Sequence, residues 1–218
     1  MTLKAILFDM DGTLVDSESA HFACWNDILT PYGVSYDETT FCQQFSGRPT
    51  LDAAIAVVEQ YQLDVSPQSL ADAKYAAFGQ FVTTQLPALM PYAQEVLQAV
   101  KQSGLKMALV TGSARHEAYP ILKGYGFFDY FDCVVTKDDV HRPKPSGEPY
   151  QRALDILTIT ADEAIAVEDT HTGVTAAFNA RVQVVAITNQ YTQHHDLQNA
   201  TKRIENLREL WKWVQSKL

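Results

Sequence analysis

The sequence lacks the features of a disulfide-stabilised or membrane-spanning protein. Its three cysteines are widely spaced and form no C-x-x-C pair, which argues against both a disulfide framework and a zinc site. No apolar run reaches the ~18 residues of a membrane-spanning helix, and the residues after Met1 do not resemble a signal peptide with its cleavage region. We therefore expect a cytoplasmic protein without a membrane partner.

Positive charge is also scarce. The chain has 17 lysines and arginines against 26 aspartates and glutamates, which gives a formal net charge of -9. Nucleic-acid binding depends on clustered cations that neutralise phosphates, so this composition argues against a DNA or RNA partner. We expect a monomer or a weak dimer.

What is present is an alternation of short β-rich runs with helical patterns. The β-rich runs are residues 5–8, 107–111, 133–136, 165–167 and 182–187. Strands that alternate with helices predict a parallel sheet covered by helices on both faces. The predicted fold class is therefore α/β, with a Rossmann-like doubly wound parallel sheet.

The first predicted strand does not lead directly into a second one, because residues 15–84 show only helical patterns. One apolar stripe at helical spacing is formed by Phe22, Trp25 and Leu29. Helices confined to one insertion indicate a small cap domain. We predict a catalytic core formed by residues 1–15 and 87–218, and a helical cap domain formed by residues 16–86.

Two aspartates close the first predicted strand, in the segment D-M-D-G. Because side chains alternate along a strand, Asp9 and Asp11 should point to the same side. They would lie at the carboxyl end of the sheet, where open α/β sheets bind ligands. An ordinary Asp-Gly turn explains this motif about equally well. A calcium loop does not, because Ala20 and His21 stand where its terminal glutamate is expected.

Three further motifs lie at or near strand ends. The segment 111–113, T-G-S, offers a hydroxyl and free backbone N–H groups where a helix begins, which suits a phosphate, with a simple helix cap as the alternative. Lys144 lies between two prolines that stiffen its backbone, with a solvated lysine as the alternative. Glu168 and Asp169 follow a buried apolar strand, where a helix N-cap is the alternative.

In this order the four motifs resemble the haloacid dehalogenase-like (HAD) hydrolase superfamily, in the branch whose helical cap follows the first motif. The sequence is similar in particular to the subgroup of β-phosphoglucomutase and small-sugar-phosphate phosphatases. The resemblance spans nearly the whole chain. One departure is Gly147, where that subgroup usually carries a second proline.

The resemblance implies that Asp9 attacks phosphorus and becomes an aspartyl phosphate, and that Asp11 protonates the leaving oxygen and then activates water. Thr111 and Lys144 would stabilise charge on the transferring phosphoryl group. The implied metal ligands are Asp9, Asp11 through its backbone carbonyl, Asp169, and Glu168 either directly or through water. The implied phosphate and substrate ligands are Gly112, Ser113 and, from the cap, His21, Gly47, Arg48 and Lys74. A solvated position is the alternative for these cap side chains.

Four carboxylates at one sheet edge would need a cation. A like-charged pair ~4 Å apart costs on the order of 4 kcal/mol at a surface-like effective dielectric. Lys144 alone cannot offset that repulsion together with the charge of a phosphate dianion. Mg²⁺ fits best, because it favours carboxylates together with a substrate phosphate.

The predicted activity is Mg²⁺-dependent hydrolysis of a small phosphorylated metabolite, with a sugar phosphate as the expected class. A phosphosugar mutase would use the same chemistry and is the alternative. A dehalogenase is disfavoured because the second aspartate, the phosphate site and the metal-type carboxylates would have no task. A non-catalytic metabolite-binding regulator is disfavoured because every catalytic group is retained.

Overall fold

Residues 2–218 are described by the computed structural model. The strands are β1 Ala5–Phe8, β2 Val15–Asp16, β3 Ala88–Leu89, β4 Lys106–Val110, β5 Cys133–Val135, β6 Ala164–Glu168, β7 Gln183–Ile187 and β8 Lys202–Ile204. The helices are α1 Glu18–Leu29, α2 Glu38–Phe45, α3 Thr50–Tyr61, α4 Pro67–Thr84, α5 Ala93–Ser103, α6 Arg115–Gly124, α7 Glu148–Leu157, α8 His171–Asn179 and α9 Leu207–Gln215. None of these helices is both long and apolar enough to cross a membrane.

Six strands form a parallel sheet in the order β5-β4-β1-β6-β7-β8. The chain runs outwards from β1 through β4 and β5, then crosses back to β6 and continues outwards on the other side. The order therefore changes direction next to β1, and open α/β sheets bind ligands at such a point. The predicted doubly wound parallel sheet is confirmed.

The two faces of the sheet are covered by different helices. Ile6 and Phe8 belong to an apolar cluster with residues of α5, α6 and α9. Ala5 and Leu7 belong to a second cluster with residues of α7 and α8. Side chains alternate between faces along a strand, and β1 is apolar at all four positions because both of its faces are buried.

Helices α1 to α4 have an apolar cluster of their own. Its buried members include Trp25, Leu29, Phe41, Val57 and Leu70, which come from all four helices. These helices follow the D-M-D-G segment and precede β3. The division into a core and a cap at residues 16 and 86 stays a prediction.

Two features of the chain differ from the sequence-based prediction. Residues 15–84 are not purely helical, because β2 pairs with β3 in an antiparallel ribbon where the helical segment leaves and rejoins the sheet. Strand β8 was also not predicted. It is a three-residue edge strand whose Ile204 alone is buried, so its sequence carries neither an apolar run nor an alternation.

Gly147, the departure from the family pattern, has a packing reason. It precedes α7 and lies against the end of α8. A Cβ atom at this position would lie 2.8 Å from the backbone nitrogen of Ala180. A side chain at position 147 would therefore force α7 and α8 apart.

Candidate active site

The carboxyl ends of β1, β4 and β6 meet below a cleft that helices α1 to α4 cover from the other side. Phe8 pairs with Leu109 on β4 and Val167 on β6, so the residues that follow these three lie side by side. The predicted residues that line the cleft are Asp9, Asp11, His21, Gly47, Arg48, Lys74, Gly112, Ser113 and Lys144. The structure thus brings core and cap candidates to one cavity.

Lys144 is the centre of a buried hydrogen-bond network. Its Nζ donates to Asp9 Oδ1 at 2.6 Å, to Glu168 Oε1 at 2.6 Å and to the Val110 carbonyl at 2.8 Å. All three ammonium protons are therefore used. Burial alone would lower the pKa of Lys144, but the carboxylates of Asp9 and Glu168 outweigh it and raise that pKa. The solvated alternative for Lys144 is wrong.

Glu168 is held in place by groups on α7 and α8. The Tyr150 hydroxyl, on a fully buried side chain, donates to Glu168 Oε1 at 2.5 Å. Gly173 leaves room for the carboxylate, since a Cβ there would lie 1.8 Å from Glu168 Oε2. The orientation of Glu168 is thus set by a hydroxyl on one side and by the absence of a side chain on the other.

Asp9, Glu168 and Asp169 each place a carboxylate oxygen within 4.8 Å of the others. Burial first, and then the charge of Glu168, raise the pKa of Asp9 to about 8, although Lys144 lowers it. Burial and the charges of Asp9 and Glu168 raise the pKa of Asp169 well above its ordinary value. Asn189 donates to Asp169 Oδ2 at 2.9 Å, whereas the buried Oδ1 has no hydrogen-bond partner among residues 2–218. The three residues could therefore hold a divalent cation.

The Asp11 side chain lies outside that group and is fixed by hydroxyls. Its Oδ1 accepts from Ser17 Oγ and its Oδ2 from Ser113 Oγ, both at 2.6 Å. Burial would raise the pKa of Asp11, but the His21 ring and the two hydroxyls outweigh it and lower that pKa. The His21 Nε2 lies 3.7 Å from Asp11 Oδ1. Asp11 is thus held in one orientation beside Asp9 in the cleft.

The T-G-S segment is not an open cradle of N–H groups. Ser113 N–H donates to Thr111 Oγ1 at 3.0 Å, and Ala114 N–H donates to Glu117 Oε2 at 2.7 Å. The expectation of a free backbone N–H group is therefore wrong for Ser113, and the N–H of Ala114 next to it is also occupied. Roles of Thr111, Gly112 and Ser113 in phosphate binding stay predictions, and of these three residues Gly112 and Ser113 line the cleft.

The cap candidates occupy three kinds of position. Lys74 is only 4% exposed and its Nζ lies 3.6 Å from Glu117 Oε1, so its solvated alternative is wrong. Arg48 is exposed and, among residues 2–218, has no carboxylate within ion-pair distance. Gly47 has a φ of +69°, and a Cβ there would lie 2.5 Å from Thr170 Cγ2, so only glycine allows this turn to approach the core so closely.

Sequence reasoning missed several residues that complete the site. They are Ser17, Glu117, Tyr150 and Asn189. Ser17 adjoins the first motif and could have been proposed from that position. The other three lie on helices or a loop outside the motifs, and no spacing in the sequence relates them to Asp9.

Comparison with known proteins gives consistent results. The sequence pattern of haloacid dehalogenase-like hydrolases matches residues 6–187. A validoxylamine A 7'-phosphate phosphatase of Streptomyces hygroscopicus subsp. limoneus is 32% identical over 188 residues, which cover 85% of both chains. A fructose-1-phosphate phosphatase of Escherichia coli (strain K12) is 30% identical over 184 residues, covering 84% of this chain and 95% of that protein.

A crystal structure of β-phosphoglucomutase from Clostridium difficile has the same fold. It superposes with a TM-score of 0.83 at 21% identity and covers 99% of this chain and 97% of its own. The likeness extends through the helical segment as well as the sheet, because nearly the whole of both chains is aligned. Since the family pattern also spans most of the sequence, the predicted resemblance is confirmed, and this protein belongs to the haloacid dehalogenase-like hydrolase family.

Proposed function

We propose that this protein is a Mg²⁺-dependent phosphatase that hydrolyses a small phosphorylated metabolite, with a sugar phosphate as the favoured class. The observation that carries the proposal is the bond of 2.6 Å from Lys144 Nζ to Asp9 Oδ1 in a cleft that Asp11 also lines. A nucleophile, a proton carrier and a fixed cation are thereby adjacent. The two relatives described above are both phosphatases of phosphorylated small molecules.

In the first half of the reaction, the Asp9 carboxylate attacks phosphorus and the bond to the leaving oxygen breaks. Asp11 donates its proton to that oxygen. The charge of the incoming phosphate favours the protonated form of Asp11. Lys144 keeps Asp9 oriented and offsets negative charge on the transferring group.

In the second half, a water molecule gives its proton to Asp11 and attacks phosphorus. The bond between phosphorus and Asp9 breaks, which releases inorganic phosphate and restores both aspartates. Because Ser17 and Ser113 hold Asp11 in one orientation, the same carboxyl group can serve both halves.

The carboxylates suit a magnesium ion, which Asp9, Glu168 and Asp169 would hold. Their crowded charges and the unpartnered Asp169 Oδ1 are what an oxygen-coordinated cation would relieve. The predicted contribution of the Asp11 carbonyl belongs to the same proposal. When bound, the ion would neutralise charge that develops on the phosphoryl oxygens.

A phosphosugar mutase is the second candidate. The observation that favours it is the approach of Lys74 on α4 to Glu117 on α6, because a cap that reaches the core can exclude water. A mutase would return the phosphoryl group from Asp9 to a sugar hydroxyl. The chemistry at Asp9 and Asp11 would otherwise be the same.

A substrate screen distinguishes these candidates. Sugar phosphates, phosphoglycolate and nucleotides would be incubated with the protein and Mg²⁺, with assays for inorganic phosphate and for isomerised sugar phosphate. Phosphate release supports the phosphatase, and isomerised product without phosphate release supports the mutase. Absence of turnover on the whole panel would contradict both and favour a metabolite-binding regulator.

Arg48→Ala should impair the natural substrate selectively. Arg48 lines the cleft without an ion-pair partner in the described chain, so we expect it to bind a part of the substrate remote from the reacting phosphorus. We expect kcat/KM for the best substrate of the screen to fall at least tenfold, or ~1.4 kcal/mol, and to fall much less for 4-nitrophenyl phosphate.

The matched control for that variant is Arg152→Ala, which changes an exposed arginine of α7. Equal losses on both substrates in Arg48→Ala would place Arg48 at the transferred phosphate or in the fold. An effect no larger than that of Arg152→Ala would indicate that Arg48 is a solvated surface residue without a role in substrate binding.

Tyr150→Phe should weaken magnesium binding while the ring keeps its packing. It removes the hydroxyl that donates to Glu168 Oε1, and loss of such a supporting contact typically costs ~10 to 100-fold in metal affinity or activity. We expect the Mg²⁺ concentration for half-maximal activity to rise at least tenfold, with a parallel rise in the Kd from calorimetry. The control is Tyr125→Phe, whose hydroxyl donates to the Pro87 carbonyl, and equal Mg²⁺ requirements in both variants would contradict the role of Tyr150.

A further inference from the structure

Glu117 is a buried carboxylate of the cleft that the proposed reaction does not use. It lies in the first turn of α6, is 1% exposed and lines the same cavity as Asp9 and Asp11. Its Oε2 accepts from the Ala114 N–H, which fixes the side chain. Its Oε1 accepts no hydrogen bond from any group of residues 2–218. A buried acceptor left in this way is costly, which points to a missing partner.

Lys74 faces Glu117 from the helical segment. Its Nζ lies 3.6 Å from Glu117 Oε1, which is an ion-pair distance but too long for a hydrogen bond. The ammonium also lies 4.8 Å from the centre of the Phe78 ring, and the described part of the chain provides no hydrogen-bond acceptor for it. Within the described chain, Lys74 Nζ therefore lacks a hydrogen-bond acceptor and Glu117 Oε1 lacks a hydrogen-bond donor, although the two groups of this Lys74–Glu117 pair lie within ion-pair distance.

The charges of the pair restrict which group can use that capacity. A carboxylate or a second phosphate would be attracted by Lys74 and repelled by Glu117, and an ammonium group would meet the reverse. A hydroxyl group can accept from the ammonium and donate to the carboxylate at the same time, without carrying charge into a buried position. Only an uncharged donor and acceptor satisfies both residues.

We propose that Glu117 is a specificity-determining residue, which selects substrates that present a hydroxyl group to the Lys74–Glu117 pair and rejects those that present an anion there. The inference rests on the proposed phosphatase activity and adds the chemical class of the group opposite the reacting phosphate. Glu117 also comes from the core and Lys74 from the helical segment, so a hydroxyl bound by both would join the two sides of the cleft.

The test uses two substrates that differ at one terminal group. Sorbitol 6-phosphate ends in a hydroxymethyl group, and 6-phosphogluconate carries a carboxylate at the same carbon. We expect the wild-type protein to favour the first by at least tenfold in kcat/KM. Glu117→Gln should reduce that preference at least fivefold, because the amide neither repels the carboxylate nor accepts from the hydroxyl as strongly.

The amide oxygen of Glu117→Gln can still accept from the Ala114 N–H, so we expect the start of α6 to be preserved, which circular dichroism and thermal melting would check. Glu117→Asp keeps the negative charge and should continue to reject the carboxylate, which keeps the inference testable should the first variant fold poorly. Glu95→Gln is the matched control, since Glu95 is exposed and pairs with Arg208.

The inference is overturned if the wild-type protein hydrolyses 4-nitrophenyl phosphate but treats the two substrates alike, prefers the carboxylate or accepts neither. It is also overturned if the preference for sorbitol 6-phosphate is as large in Glu117→Gln as in Glu95→Gln, or if Glu117→Asp loses that preference. The proposed function fails separately, through absence of turnover on every phosphate ester including 4-nitrophenyl phosphate.

Discussion

Chelation of divalent cations is expected to abolish phosphate release, and added Mg²⁺ is expected to restore it. Asp9, Glu168 and Asp169 crowd three carboxylate oxygens within 4.8 Å in a buried position. A phosphate dianion brought beside them would meet repulsion that Lys144 alone does not offset, because each like-charged pair ~4 Å apart costs on the order of 4 kcal/mol at a surface-like dielectric. Ca²⁺ should not substitute, since it relaxes the tight octahedral geometry that Mg²⁺ imposes.

Asp169→Ala tests the same site by removing a proposed ligand instead of the metal ion. Removal of Asp169 deletes the carboxylate whose Oδ1 has no hydrogen-bond partner in the described chain, so the Mg²⁺ concentration for half-maximal activity should rise steeply. Asp162→Ala, at an exposed position, is the control and should need no more Mg²⁺ than the wild-type protein. Mg²⁺ should also raise the Tm of the wild-type protein, because a ligand that binds only the folded state stabilises it. Full activity in excess chelator would contradict the metal assignment.

The sequence predicted the sheet because its strands carry strong signals. The buried central strands are continuous apolar runs between helical patterns, so predicted runs such as 107–111 and 165–167 differ from β4 and β6 by one residue at each end. The β2 and β3 ribbon gives no such signal. Each of its strands has two residues and depends on pairing with the other, which no local pattern encodes.

The residues of the candidate site also fall into those that the sequence could place and those that it could not. Asp9, Asp11, Glu168 and Asp169 could be placed together because they lie at the end of a strand or within three residues after it, and parallel strands bring their carboxyl ends to one edge. Asn189 could not, because it lies in the segment after β7 and reaches Asp169 only through the path of that segment. The Glu117 carboxylate could not either. It reaches back to Ala114 as a capping-box residue would, but Ala114 lacks the hydroxyl by which a capping box is recognised.

Asp9→Asn is expected to remove phosphatase activity while leaving the fold intact. The amide is nearly isosteric with the carboxylate, and its oxygen can still accept from Lys144 Nζ, which lies 2.6 Å from Asp9 Oδ1. It cannot attack phosphorus as an anion, and loss of a catalytic residue costs on the order of 10⁴-fold to 10⁶-fold in kcat. Phosphate release from the best substrate should therefore fall by at least ~10⁴-fold.

The folded state should tolerate that change, because burial first, and then the charge of Glu168, already raise the pKa of Asp9 to about 8. A neutral side chain at position 9 removes repulsion from its carboxylate neighbours, whereas Lys144 keeps its contacts with Glu168 and the Val110 carbonyl. Circular dichroism and the Tm should match those of Asp162→Asn, an exposed control. Acid-quenched wild-type protein should carry one additional phosphoryl group by mass spectrometry, and Asp9→Asn should carry none. Substantial phosphate release by a correctly folded Asp9→Asn protein would refute covalent catalysis through Asp9 and leave Asp11 to activate water for direct attack.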